Sequence, residues 1–246
     1  MIRKTYTVTG LPVDAEFSEI EVIHLFKPLL SHLARLRKEK GTRLIVYLAA
    51  PPGAGKTTLS LFLEDLFKEV KSPYSFQSIS MDGFHHFNQF LNSQMIFRDG
   101  QSVPLRTYKG IPETFNVDFL KASIEVLQTK EVAEWPTYDR LLHDVSDQTI
   151  KVDADIILIE GNYLLLNEDK WKELHQLSDY TIFIDTSIDT LKDRLIDRKQ
   201  RGGASLKDAL LHYERTDKVN AERVLNQSLP ADETLYLTNN GFTKIN

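Results

Sequence analysis

Arg43-Leu44-Ile45-Val46-Tyr47-Leu48-Ala49-Ala50-Pro51-Pro52-Gly53-Ala54-Gly55-Lys56-Thr57-Thr58 is the stretch that decides the fold of this chain. Its first half is an apolar run of the kind that forms a buried strand, and Leu59-Ser60-Leu61-Phe62-Leu63 then opens an amphipathic helix. Between the two lies a turn carrying Gly53 and Gly55, followed by Lys56 and Thr57. A strand, a glycine-bearing turn and a helix in this order make a phosphate cradle. Backbone N–H groups of the turn and of the first helical turn converge on the anion, Lys56 adds a cation, and the Thr57 hydroxyl is placed to ligate magnesium. Gly53, Ala54, Gly55, Lys56, Thr57 and Thr58 are therefore candidate nucleotide-binding residues. The rival reading is an ordinary strand-to-helix turn, which the placement of Gly-Lys-Thr between such a strand and such a helix disfavours. Ala50 stands where this pattern usually has glycine, so that position must adopt a backbone conformation open to a β-carbon.

A chain of 246 residues with 41% hydrophobic content can bury one substantial core, and a single domain, 1–246, is expected. A formal net charge of -5 offers no general attraction to a polyanion, so nucleic acid is not an expected partner. Cysteine is absent, which excludes disulfides, thiolate catalysis and Cys-ligated zinc. The first fifteen residues hold no apolar run of signal-peptide length, and no later stretch nears the uninterrupted apolar length of a membrane span. A soluble cytoplasmic protein without a membrane partner is the expectation. Oligomeric state is not legible, and a homodimer stays open.

Working outward, helical spacing runs through Phe17, Ile20, Ile23, Phe26, Leu30, Leu33 and Leu36 and stops at Gly41, so that 1–42 carries a packing helix. Its end bears Arg35, Arg37, Lys38, Lys40 and Arg43, read as cations favoured at a solvated helix terminus rather than as an anion site. Further apolar strands fall at 74–81, 154–161, 180–186 and 234–238. Helical patterns fall at 117–128, 168–177, 188–201 and 205–225, with Asn116 and Ser187 as N-caps. Strands alternating with helices predict an α/β three-layer sandwich with a mostly parallel central sheet. The polar, glycine-containing segment 83–115 breaks the rhythm and reads as an irregular substrate-loop insert.

Ligands of doubly wound sheets sit beyond the carboxyl ends of the strands, which gives weight to polar residues there. The strand at 74–81 runs into Asp82, either a catalytic carboxylate or a turn cap. The strand at 154–161 ends in Glu160, a carboxylate after four aliphatic residues, of the type that holds magnesium through water beside a nucleotide. Arg194, Arg198 and Arg201 share one helix face ahead of Gly202-Gly203. They form either a mobile lid that stabilises a phosphoryl group in transit or a solvated face paired with Asp193 and Asp197. His85 and His86 are adjacent and point to opposite sides of an extended chain, which disfavours a shared metal.

Five ordered blocks then carry a family resemblance: Ala50-x-x-Gly53-x-Gly55-Lys56-Thr57, Met81-Asp82-Gly83-Phe84-His85, Lys109-Gly110-Ile111-Pro112-Glu113-Thr114-Phe115, Pro136-Thr137-Tyr138-Asp139-Arg140 and Ile159-Glu160-Gly161-Asn162-Tyr163. Together they resemble the P-loop kinases of the pantothenate kinase, uridine kinase and phosphoribulokinase superfamily. Asp-Gly-Phe-His-His and Glu-Gly-Asn-Tyr-Leu-Leu-Leu are most similar to its branch labelled fructose-transport-kinase-like or nucleoside triphosphate hydrolase. The resemblance implies a P-loop NTPase fold and an ATP- and Mg2+-dependent phosphotransferase acting on a hydroxyl of a small molecule. It also implies Asp82 as general base, Lys56, Arg194 and Arg198 as catalytic cations, and a lid at 194–204. Thr57 and Glu160 are implied on the metal side, with Arg201 and Asn239 near the nucleotide. Tyr138 and His143 are implied to contact the substrate. From the residues themselves, His85, Arg98, Arg106, Tyr108 and Lys109 of the insert, with Tyr138, Arg140 and His143, offer donors and aromatic surface that suit a polyhydroxylated or anionic small molecule, the rival reading being exposed loop residues. Two departures are visible. Asp82 is followed by Gly-Phe-His rather than the Asp-x-Phe-Tyr usual in uridine kinases, and Arg140 stands where pantothenate kinases commonly have His.

Two rival classes compete with an enzyme. A GTPase switch would need Asn-Lys-x-Asp, which does not occur in the sequence. A non-catalytic ATP-binding regulator could keep Lys56 but has no need of Asp82, Glu160 and lid arginines together. The acceptor stays open among a sugar, a sugar acid, pantothenate and a nucleoside.

Overall fold

The run that precedes the glycine turn is an interior strand of a six-stranded sheet, and the way its neighbours are held in register positions everything at the phosphate end. The structure is a computed structural model that describes residues 1–8, 11–98, 100–140 and 142–244. It contains two compact units, residues 1–79 with 154–246 and residues 80–153.

In chain order, the first unit begins with the hairpin β1 (Ile2–Val8) and β2 (Leu11–Phe17), the short α1 (Glu19–Glu21) and α2 (Lys27–Lys40). It continues through β3 (Leu44–Ala49), α3 (Lys56–Phe67) and β4 (Phe76–Ser80). The second unit holds α4 (Asn88–Ser93), the hairpin β5 (Met95–Arg98) and β6 (Gln101–Pro104), α5 (Val117–Thr129), and the hairpin β7 (Ala133–Asp139) and β8 (Asp144–Val152). The chain then returns to the first unit with β9 (Ile156–Gly161), α6 (Trp171–Leu174), β10 (Tyr180–Thr186) and α7 (Ile188–Arg201). It ends with α8 (Leu206–His212), α9 (Lys218–Gln227), β11 (Glu233–Thr238) and β12 (Gly241–Thr243).

The sheet of the first unit has the order β12-β11-β10-β3-β9-β4. β3 pairs in parallel with β9 and with β10, β10 with β11, and only β12 runs antiparallel to its neighbour β11 among the pairings described. Every residue of β3 and β9 is buried, as expected of parallel strands covered on both faces. Tyr47 carries a hydroxyl into this interior and donates it to Leu174 O at 2.9 Å, which removes the cost of burying it.

Parallel strands have no tight hairpin to set their register. Here an aspartate immediately before each of three strands does so. Asp155, before β9, accepts from the Ser75 backbone N–H (3.0 Å) and hydroxyl (2.9 Å), and Ser75 Oγ accepts from the Asp155 N–H at 2.9 Å. Asp179, before β10, accepts from the Ile45 N–H of β3 at 2.8 Å, while its own N–H donates to Ile45 O. Asp232, before β11, accepts from the N–H and hydroxyl of Thr181 in β10 at 2.8 and 2.7 Å. The cations at the end of α2 join this edge. Arg37 reaches Asp155 Oδ1 at 3.0 Å, Lys40 reaches Asp179 Oδ2 at 2.6 Å, and Arg43 donates to Ala154 O at 2.8 Å. Arg37, Lys40 and Arg43 are thus part of the sheet's clamp, whereas Arg35 and Lys38 lie exposed as expected of a solvated terminus.

The strands and helices fall close to the expected places, with instructive exceptions. Phe17 belongs to β2 rather than to the helix, which starts at Glu19 behind a capping box between Ser18 and Glu21. The ring of Phe17 stacks on Phe62 at 4.1 Å and meets Phe26 edge-on at 5.5 Å, so the periodic position is real but the backbone around it is extended. A π-helical turn, Val22–Phe26, interrupts the first helix, and a second, Tyr213–Asp217, joins α8 to α9. The expected irregular insert contains α4, the β5–β6 hairpin and a small core of Leu91, Leu105, Tyr108 and Ile111. At the other end of the chain, Phe242 donates its N–H to buried Glu21 Oε1 at 2.7 Å and packs on Phe26 at 5.8 Å.

Asp155→Ala is expected to destabilise the fold by about 1–3 kcal/mol, because the Ser75 N–H and the Arg37 guanidinium lose their acceptor. Hydrogen bonds from Ser75 and the Arg37 charge hold the Asp155 carboxyl below the usual range against the opposing effect of burial. Its stabilisation is therefore present above the unfolded-state pKa and is lost as pH falls through the lower folded value. Urea titrations over an acidic pH series should show a shallower stability loss in the Ala variant than in the wild type.

Candidate functional site

β3 delivers the chain into the turn at Ala50, which is buried and is not among the residues with positive φ, so the conformation there accepts a β-carbon as expected. Gly53 and Gly55 do lie in the left-handed region, at φ 84° and 81°. Gly55 is the N-cap of α3, makes no side-chain cap, and the first turn contains no acidic residue. The leading N–H groups of α3 are therefore not closed off by a side-chain cap, at the positive end of a helix dipole, where an anion fits. Helix α7 packs directly over this loop. A β-carbon on Gly53 would stand 2.8 Å from Leu195 Cγ, and one on Gly55 would stand 3.9 Å from Arg194 Nη1.

Glu160 lies opposite Leu48 in the β3–β9 register and is 3% exposed. Thr57, in the first turn of α3, donates its hydroxyl to Glu160 Oε1 at 3.0 Å. The two side chains thus meet, and they offer only oxygen donors. Such a set fits magnesium, which keeps several waters and takes substrate phosphates as further ligands. No group of three or more His, Asp or Glu that could hold a metal occurs among the described residues, so the ion would depend on the nucleotide phosphates.

The three arginines of α7 have different surroundings. Arg194 lies by Gly55, burial lowers its pKa, and it makes no hydrogen bond or ion pair among the described residues. Arg198 is 3.8 Å from buried Asp217, and Arg201 pairs with Asp197 at 2.9 Å one turn back along the helix. Asn239 is exposed in the turn between β11 and β12.

In the second unit, Asp82 sits in a tight helical turn, Met81–Phe84, whose start is capped by Ser80 Oγ accepting from the Asp82 N–H at 3.2 Å. The reason Asp82 precedes glycine is steric. A β-carbon on Gly83 would fall 2.1 Å from Pro136 O, so β7 runs against this backbone with no room for any side chain. Trp135, buried next door, donates its indole N–H to Ser80 O at 2.8 Å and meets Phe84 edge-on at 4.7 Å. β7 then presents Tyr138 and leads to Arg140, whose Nη2 is ion-paired with Asp82 Oδ2. His85 lies over Phe115 at 3.7 Å between ring centroids and 5.1 Å from Tyr138. Burial lowers the His85 pKa to about 4 and raises that of Tyr138 to about 12, so both are neutral at ordinary pH.

The remaining expected acceptor residues are distributed around this cluster. Lys109 Nζ donates to Asn88 Oδ1 and His143 O, each at 2.8 Å, and is 3.4 Å from Asp144 Oδ1. Its ammonium lies 5.0 Å from the Tyr138 ring centre, and burial lowers its pKa. His143 has φ 50° and contributes its carbonyl to Lys109 and Asn88. Tyr108 is buried in the small core, with Arg98 stacked 4.9 Å from its ring, while Arg106 is exposed. Sequence reasoning passed over Gly83, Trp135, Asn88 and Asp144. Of these only Gly83 lies in a quoted motif, at the open position of Asp-x-Phe, where nothing marks it as sterically required.

No helix among the described residues is long and apolar enough to cross a membrane. The α/β P-loop fold of the chain is shared with the crystal structure of a candidate fructose transport system kinase from Silicibacter sp. TM1040. That match has a TM-score of 0.73 and 28% identity, and covers 83% of this chain and 98% of that one. An uncharacterised protein of Escherichia coli K12, YggC, is 39% identical over 236 residues, spanning 96% of this chain and 95% of its own. A uridine kinase of Lactobacillus helveticus is 29% identical over 182 residues, 71% of this chain and 77% of its own. Residues 45–228, from β3 with its phosphate loop to the end of α9, match the Phosphoribulokinase / Uridine kinase family, and the chain belongs to that family of P-loop kinases.

Proposed function

We propose that this protein transfers the γ-phosphoryl group of ATP to a hydroxyl of a small metabolite, and that it belongs to the fructose-transport-kinase-like branch of its family. The observation that carries the reading is the contact of Thr57 with Glu160 beneath the uncapped start of α3, with the Arg194 guanidinium beside Gly55. This arrangement matches what a nucleotide triphosphate and its cation require.

Phosphoryl transfer proceeds through a loose transition state, so catalysis is mostly positioning and electrostatics. In this reading the loop N–H groups and Lys56 hold the phosphates. Thr57 and Glu160 would hold magnesium, which would neutralise charge on the phosphates. Arg194 meets the charge that spreads over the moving group. Asp82, fixed in orientation by Arg140, aligns the acceptor hydroxyl and takes its proton late. Arg198 and Arg201 reinforce the cationic face of α7 when the lid closes and excludes water.

The deciding measurement is ADP release in the presence and absence of hydroxyl acceptors. A phosphotransferase is accelerated by its acceptor, whereas a non-catalytic ATP-binding regulator binds ATP and turns over little with any of them. Asp82→Asn should lower kcat by about 10²-fold or more with nucleotide affinity nearly unchanged, and equal turnover in mutant and wild type would remove Asp82 from the role. Lys56→Ala should cost several kcal/mol in kcat/KM, on the order of 10²–10³-fold. Arg194→Ala should lower kcat by on the order of 10²-fold while ATP binding, followed by calorimetry, changes far less.

A further inference from the structure

The acceptor's chemistry can be narrowed from the turn that carries Asp82. His85 Nδ1 is 2.9 Å from Asp82 O. A backbone carbonyl only accepts, so Nδ1 carries the proton of the neutral ring and Nε2 is left as a bare acceptor. Nε2 makes no hydrogen bond among the described residues, and all interactions of His85 are accounted for by Asp82, Phe115 and Tyr138 with the fields of Lys109 and Arg140. The turn therefore presents, three residues apart, a carboxylate paired with Arg140 and an imidazole nitrogen that accepts. Hydroxyl groups supply donors. A carboxylate or phosphate brings only acceptors and would meet acceptors.

The cations and aromatic faces nearby are mostly engaged. Arg140 is paired with Asp82, and Lys109 is held by Asn88, His143 and Asp144, while Arg106 is exposed and its charge reaches Lys109 and Tyr138. The ring of Tyr138 is already covered by Lys109 at 5.0 Å and Arg140 at 4.9 Å, and that of Phe115 by His85.

Building on the phosphotransferase reading, we infer that the acceptor is an uncharged polyhydroxylated molecule, a sugar or sugar alcohol. One hydroxyl is aligned by Asp82 and a second donates to His85 Nε2, which makes His85 a specificity-determining residue.

The test measures acceptor-stimulated ADP formation by the full chain with ATP and magnesium. The neutral set is D-fructose, D-ribose and glycerol; the contrasting set is D-gluconate, pantothenate, fructose 6-phosphate and uridine. Stimulation by a neutral polyol at least about tenfold above every anionic acceptor and uridine is expected. A best acceptor that is anionic or a nucleoside overturns this inference and leaves the kinase reading standing. ADP formation stimulated by none of them, in protein that binds ATP, overturns the kinase reading and this inference with it. With the best polyol, His85→Leu should raise KM about tenfold or more with kcat little changed, and His85→Gln, whose amide oxygen also accepts, should recover most of that loss. Equal defects in the two variants, or an unchanged KM, overturn the role of His85. Should the Leu variant not fold, monodeoxy analogues of the same sugar decide with wild-type protein. One of them should lose affinity in the wild type and none of it further in His85→Gln; uniform behaviour of all analogues overturns the assignment.

Discussion

The register between β3 and β9 is the constraint on which the nucleotide end depends. It places Glu160 opposite Leu48, two residues before the chain leaves the sheet for the phosphate turn, and so within reach of Thr57. A slip of one residue would turn Glu160 to the other face of the sheet and replace it with an aliphatic side chain or Gly161. Nothing in two parallel strands resists such a slip locally. The resistance comes from the far edge, where Asp155, Asp179 and Asp232 bind backbone N–H groups of neighbouring segments and Arg37 and Lys40 hold the first two of these carboxylates. Charge at one edge of the sheet therefore maintains chemistry at the other.

The second unit solves a similar problem by exclusion. Gly83 lets the Pro136 carbonyl approach a backbone that no other residue would permit, and the indole of Trp135 closes the same contact through Ser80 O. With β7 seated this closely, Arg140 reaches Asp82 and Tyr138 falls beside His85. The carboxylate is thus oriented by packing first and by ion pairing second.

Much of the fold was legible because its signals are local. The apolar run of β3, the glycines at 53 and 55, the Asn116 and Ser187 caps and the stop at Gly41 each follow from the physics of a few adjacent residues, and all take the expected form. What stayed hidden depends on contacts distant in sequence. Arg37 and Lys40 look like a solvated helix end until Asp155 and Asp179 are brought to them. Arg194, Arg198 and Arg201 are equivalent by spacing, and only the fold separates the one beside Gly55 from the ones beside Asp217 and Asp197. Lys109 reads as a ligand-seeking cation until Asn88, His143 and Asp144 surround it. The insert's small core was missed because its four apolar residues lie scattered among polar ones without a helical or strand period.

Glu21 joins parts of the chain that are 221 residues apart. Its carboxylate closes the first helix onto Ser18 and receives the Phe242 N–H, while Phe242 lies against Phe17 and Phe26. One buried acid and a knot of phenylalanines thereby tie the final hairpin to the opening helix. Trimming the final hairpin therefore removes a donor from the acid that caps the opening helix, so damage at one terminus is felt at the other.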